Sequence, residues 1–254
     1  SSDLNPRSPQ IAIAHGLAEL AAHLPKLADP AYTTPRAQPS AITLAHPVDG
    51  VRFGYLAHVA VPALPFWGQP TSLAQYEETL ELLRGPYGPE LERRLDAWRV
   101  KYIVVTKPRP LGLYEQLRIA LGSEHPGWPA TATIRLVADA VTAKLFERVR
   151  GARIRGRAGA NEAVSLDALV HAGRYTLRYH AGARAGGDGS FSLVFPYASR
   201  SAWPATVAGI YLRCANGSHA LDIPDAAVEE GEPTQPEWHA AIKFLTNTGH
   251  KCTD

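Results

Sequence analysis

The hydrophobic period of the chain changes partway along it, and that change limits the folds open to it. Up to about residue 125, apolar residues recur three or four apart or gather in short continuous runs; from about residue 131 they alternate. Residues 10–24 carry Ile13, Leu17, Leu20 and Leu24 at helical spacing, and Pro25 ends the pattern. A proline-bearing connector follows through Pro30, Pro35 and Pro39, and Ala41 to Leu44 reads as a short strand. Ser72 to Leu83 reads as a helix, with Ser72 and Gln75 as a capping-box pair and Gly85-Pro86 as its stop. A further helix starts at Pro89, with Leu91, Leu95 and Trp98 on one face. It runs into Tyr102-Ile103-Val104-Val105, an apolar run of the kind found in a strand buried on both faces.

In the later part Tyr175, Leu177 and Tyr179 share one face of a strand, and Phe191, Leu193 and Phe195 repeat the pattern. Gly186-Gly-Asp-Gly189 reads as a hairpin loop between these two strands, and Asn216-Gly217 as the turn of a second hairpin. The fold class expected is α+β: a mixed α/β part over residues 1–130, then an antiparallel β sandwich or barrel over 131–254. A short helix over Trp238 to Leu245 would close it.

The chemistry that the sequence excludes is broad. A net charge of +2, from 26 basic and 24 acidic residues, gives no field that gathers nucleic acid. No run of about 18 apolar residues offers a membrane helix. The nucleophile elbow Gly-x-Ser-x-Gly and the His-Glu-x-x-His metal motif are both missing. Gly151 and Gly156 have phosphate-loop spacing, but Arg157 and Ala158 stand where Lys and a hydroxyl residue are required. No catalytic set, metal-ligating cluster or cofactor site is expected in this chain. With no Met anywhere, the chain lacks an initiator and is expected to be processed or excised from a longer product.

What remains is a set of binding candidates. Arg153, Arg155 and Arg157 fall on one strand face, either as a solvated face or as a contact for phosphate or lipid headgroups; Arg148 and Arg150 precede them. Phe66 and Trp67, with Tyr76 nearby, have the make-up of a sugar-stacking platform, or of aromatics buried at the start of a helix. Cys214 and Cys252 would form one disulfide in an oxidising compartment and two thiols in a reducing one. Asn216-Gly217-Ser218 is a glycosylation sequon that a hairpin turn also explains.

The order of segments carries a resemblance. Gly50-Val-Arg-Phe-Gly-Tyr-Leu-Ala-His-Val-Ala-Val-Pro-Ala-Leu-Pro-Phe66 precedes two helices and Lys101-Tyr-Ile-Val-Val-Thr106. Lys144-Leu-Phe-Glu-Arg-Val-Arg-Gly-Ala-Arg-Ile-Arg-Gly156, Gly173-Arg-Tyr-Thr-Leu-Arg-Tyr179, Gly189-Ser-Phe-Ser-Leu-Val-Phe-Pro-Tyr197 and Val228-Glu-Glu-Gly231 follow. This series resembles the C-terminal soluble domain of oligosaccharyltransferase catalytic subunits of archaeal and bacterial type. The resemblance implies a domain on the extracytoplasmic (periplasmic) face of the membrane, part of an enzyme that moves a lipid-linked glycan to a protein Asn. It would be non-catalytic alone, with its own membrane domain, the lipid-linked glycan and the acceptor protein as partners and no nucleic acid. The family's divalent metal is held by the membrane part. By register, His46-Pro47-Val48-Asp49-Gly50 stands where the family has Trp-Trp-Asp-Tyr-Gly, and only Gly50 matches. His46, Asp49 and Gly50 are therefore the residues expected to face the acceptor, with Asp49 as the polar contact. The alternatives are a non-catalytic extracytoplasmic module for glycan or peptide, using the β half with Phe66 and Trp67, and a docking domain whose Arg148–Arg157 face meets headgroups.

Overall fold

A computed structural model describes residues 9–23, 42–50, 70–106, 112–172, 175–199, 205–215 and 217–230. The chain is α+β and divides into two units. The first is Ser1–Ile119 with Leu136–Arg148; the second is Ala120–Arg135 with Val149–Asp254.

In the first unit, helix α1 (Pro9–His23) buries Ile13, Leu17 and Leu20, the residues its spacing puts on one face. Strand β1 (Ile42–Ala45) leads into a helical turn, α2, described over 47–50. Helix α3 (Pro70–Arg84) begins two residues before the expected cap. Proline suits a first helical turn, where its missing N–H has no partner to lose, so Ser72 lies inside the helix rather than capping it. Gly85 ends α3, and α4 (Pro89–Ala97) follows with Leu91 and Leu95 buried. Strand β2 (Val100–Val105) is buried at every position except Lys101. Helix α5 (Gly112–Ala120) adds Leu113 and Leu117 to the core.

Strands β3 (Ile134–Asp139) and β4 (Lys144–Arg148) complete a four-stranded sheet of order β1-β2-β4-β3. β1 runs parallel to β2, with Thr43 beside Tyr102 and Ala45 beside Val104; β4 runs antiparallel to β2, with Phe146 opposite Ile103. The Arg148 guanidinium is anchored under α4, 2.6 Å from Glu92 and 3.0 Å from Asp96.

The second unit holds β5 (Ala152–Arg157), β6 (Ala163–Ala172), β7 (Tyr175–Arg184), β8 (Ser190–Phe195), β9 (Ala205–Cys214), β10 (Gly217–Leu221) and the short helix α6 (Asp225–Glu230). These form two sheets, β10-β9-β6-β7 and β5-β8, neither closed on itself, so of the two architectures expected the chain adopts the open sandwich rather than the barrel. The Tyr179 and Phe195 rings meet edge to face at 5.3 Å, and Tyr197 lies 5.5 Å from Tyr179, at the centre of the core.

One expected hairpin is not formed. Gly186–Gly189 does turn the chain, with Gly186 N–H donating to Ser190 O at 2.8 Å, but β7 pairs with β6 while β8 pairs with β5. Tyr179 on β7 and Phe195 on β8 face each other across the core, so the two strands stack where they were expected to pair. The β9–β10 hairpin forms, with Gly217 opposite Cys214; Asn216 lies outside the described residues, as does the segment Trp238 to Leu245.

Candidate functional site

Because β1 and β2 are parallel, both present their carboxyl ends on the same side of the sheet, the place where open α/β sheets collect ligands. The chain leaves β1 through His46 and turns at once. Asp49 N–H and Gly50 N–H each donate to His46 O at 2.8 Å. β2 ends in Thr106, whose hydroxyl donates to Asp49 Oδ2 at 2.8 Å. Thr106 N–H donates to Tyr114 Oη at 2.6 Å, and the two hydroxyls stand 3.0 Å apart. Thr106 spends its one hydroxyl proton on Asp49, so Tyr114 must donate to Thr106 Oγ1. The result is a buried relay, Tyr114 to Thr106 to Asp49, that ends on a carboxylate only 4% exposed. His46 is buried as well, and the turn presents Val48, 52% exposed. The arrangement fixes a loop at the end of the sheet, with Asp49 turned into the protein as the post that holds it.

The remaining candidates are dispersed. Arg153, Arg155 and Arg157 project from one face of β5 and are exposed, as their alternation predicts. Arg148 is taken up by α4 of the first unit and is not part of that stripe. The Asp188 carboxyl lies below the ordinary aspartate range, held there first by the Ser190 hydroxyl and then by Ser190 N–H, with a minor attraction from Arg157. Cys214 is disulfide-bonded; the chain's other cysteine, Cys252, lies outside the described residues, as do Phe66 and Trp67. Among the described residues no three His, Cys, Asp or Glu gather into a group able to hold a metal ion.

Two sets of residues escaped the sequence reading. Thr106 and Tyr114 belong to no motif, and only the pairing of β1 with β2 brings them to Asp49. His125-Pro126-Gly127-Trp128, by contrast, carried a signal, since Pro-Gly at the centre of four residues specifies a tight turn.

A mixed α/β unit together with an open antiparallel sandwich is a fold this chain shares with solved archaeal oligosaccharyltransferases. Residues 151–233 match the family model of the archaeal glycosylation protein B long peripheral domain. Among solved structures, the chain is similar to the oligosaccharyltransferase of Archaeoglobus fulgidus in a complex with Zn and sulfate. The TM-score is 0.69 at 14% identity, over 87% of this chain and 46% of that one. The same fold is found in that organism's oligosaccharyltransferase AglB bound to an inhibitory peptide and a dolichol-phosphate, at TM-score 0.68 and 14% identity, over 87% and 42% of the two chains. It is found again in the A. fulgidus enzyme tethered to an acceptor peptide with the NVT sequon, at TM-score 0.67 and 14% identity, over 87% and 43%. The chain thus spans less than half the length of these enzymes. No curated protein matches it in sequence.

Proposed function

We propose that the chain is the soluble part of a membrane glycosyltransferase of oligosaccharyltransferase type, acting in N-glycosylation and inactive when alone. The observation that carries this reading is the likeness of fold over 87% of the chain to the A. fulgidus enzyme. Its partners are its own membrane domain, a lipid-linked glycan and an acceptor protein, and it works on the extracytoplasmic face. The disulfide at Cys214 supports that location, because such bonds persist in oxidising compartments.

In this reading the His46–Gly50 turn faces the acceptor, and Asp49 serves it through Thr106 by holding the turn in place. The divalent metal implied by the resemblance belongs to the membrane part.

The test has two parts. The gene upstream of Ser1 should encode many membrane spans with acidic residues on the external loops; a lone signal peptide there overturns the proposal. In the native host, loss of the protein should remove glycan from a reporter carrying Asn-X-Ser/Thr sites. Restoring it with Asp49→Asn should return less occupancy than the wild type at equal protein level. Unchanged occupancy on loss of the protein would refute the assignment.

A further inference from the structure

The open face of the sheet β10-β9-β6-β7 carries a constellation that the turn at His46–Gly50 does not use. Asp167 sits on β6 with His180 opposite it on β7 and Tyr211 opposite it on β9. Side chains directly opposite in a ladder project to the same face, and Arg213, two residues beyond Tyr211, joins them. The Asp167 carboxylate is shared: Oδ1 lies 3.0 Å from His180 Nδ1 and Oδ2 accepts from Arg213 Nε at 2.9 Å. With Nδ1 donating, a neutral His180 offers Nε2 as an acceptor, while Arg213, 60% exposed, keeps its outer N–H groups toward solvent.

Beside this cluster Tyr211 is held flat and open. Gly209 has φ +119, and a Cβ added there would stand 2.9 Å from Tyr211 Cε2 and 3.3 Å from Cζ. The phenol ring therefore lies directly on the Gly209 backbone, and Tyr211 is 44% exposed. At the other side of His180 a second aromatic is presented. His125, Pro126, Gly127 and Trp128 form a turn closed by His125 N–H to Trp128 O at 3.0 Å and Trp128 N–H to His125 O at 2.8 Å. Gly127 has φ +87, as the third position of a Pro-Gly turn requires. The two rings it holds lie 5.5 Å apart. Glu124, His125, Trp128, Pro129 and His180 line a groove of about 440 Å³. From His180 across β6 to Tyr211 is two strand spacings, about 10 Å.

We propose that this face of the second unit is a saccharide-binding site. Tyr211 would stack on the C–H face of one sugar ring, Asp167, His180 and Arg213 would pair with its hydroxyls, and the Trp128 groove would take an adjoining residue. A sugar needs this combination: flat apolar area for its C–H face, and planar groups at the rim that both donate to and accept from neighbouring hydroxyls. The rival occupants fit less well. An anion would meet the Asp167 charge at the centre of the cluster. A peptide adding as a strand needs a sheet edge, yet β7 is already covered there. Glu124 N–H donates to His180 O at 2.8 Å, His180 N–H to Ser123 Oγ at 2.9 Å, and Gly182 N–H to Glu124 Oε2 at 2.7 Å. An apolar partner would desolvate Asp167 and Arg213 without replacing their water. The site goes beyond the proposed function and holds whether or not the chain serves a transferase.

The 254-residue chain is to be screened against an array of neutral, uronic and sulfated di- to tetrasaccharides, and the best ligand titrated by calorimetry. At least one saccharide should bind saturably. Tyr211→Ala should weaken it about tenfold or more, Tyr211→Phe should bind nearly as wild type, and Arg213→Ala should lose affinity comparably, all with thermal unfolding unchanged. Tyr211 and Arg213 are exposed, so these variants leave the core intact. The proposal is overturned if no saccharide binds or if Tyr211→Ala binds as the wild type does. Binding confined to sulfated sugars and displaced by inorganic sulfate would also overturn it, since it would mark an anion site.

Discussion

At the scale of single residues, Thr106 shows how much one hydroxyl can hold. Its hydroxyl ties the end of β2 to the buried carboxylate of Asp49 and accepts a hydrogen bond from Tyr114. Thr106→Val keeps the shape but removes one buried donor from that carboxylate, which costs about 2 kcal/mol. Urea unfolding should register this loss, while Thr106→Ser, which keeps the hydroxyl, should fall well short of it. Asp188 offers a second residue-level check. Its folded carboxyl lies below the ordinary range, so the turn it makes with Ser190 is supported at pH values above the unfolded aspartate range. That support is lost as the pH falls through the lowered folded value. An NMR titration should find Asp188 below a free aspartate and Ser190→Ala should move it back up; no movement would mean that Ser190 is not the cause. Thr106 could not be singled out from the sequence, because hydrogen bonds between segments 57 residues apart leave no local pattern, whereas Asp188 bonds a residue only two places on, within a loop that its glycines mark.

Elements were far more legible than their partners. Helical spacing located α1, and the apolar run at 102–105 located β2, since burial of a stripe or of both faces is written into local composition. Alternation likewise marked β7 and β8. But a period of two states which face of a strand is buried and is silent on its neighbour, so the Gly186–Gly189 segment has the signature of a hairpin loop although it joins two different sheets. The resemblance in segment order marks His46–Gly50 as a candidate, while the cluster of Asp167, His180, Tyr211 and Arg213, drawn from three strands, leaves no pattern in the sequence.

Packing between elements yields its own prediction at Gly112. A Cβ on this residue would stand 2.1 Å from Arg84 O and 2.7 Å from Gly85 O, both backbone atoms. Glycine to alanine normally favours a helix by up to about 1 kcal/mol. At α5 the sign should reverse, because the end of α3 has to move: Gly112→Ala is expected to destabilise the protein by about 2 kcal/mol, measured by thermal or urea denaturation. A stability equal to or above the wild type would contradict the close approach.

At the scale of the whole molecule, the units do not follow one another along the chain. Leu136–Arg148 belongs with the first unit, whereas Ala120–Arg135 belongs with the second. A fragment of residues 131–254 would carry β3 and β4 without β2, and would lack Ser123 and Glu124 at the β7 edge. It should show no cooperative urea transition; a transition matching that of the intact protein would argue against the division. The same interleaving bears on how the protein emerges from the ribosome. Ser123 appears 57 residues ahead of His180, the group it must bond. At about 5–20 residues per second, that wait lasts roughly 3 to 11 s. The first sheet, meanwhile, can close as soon as Arg148 is out. Translation thus sets an order in which the second unit is begun before the first is complete and is itself completed last.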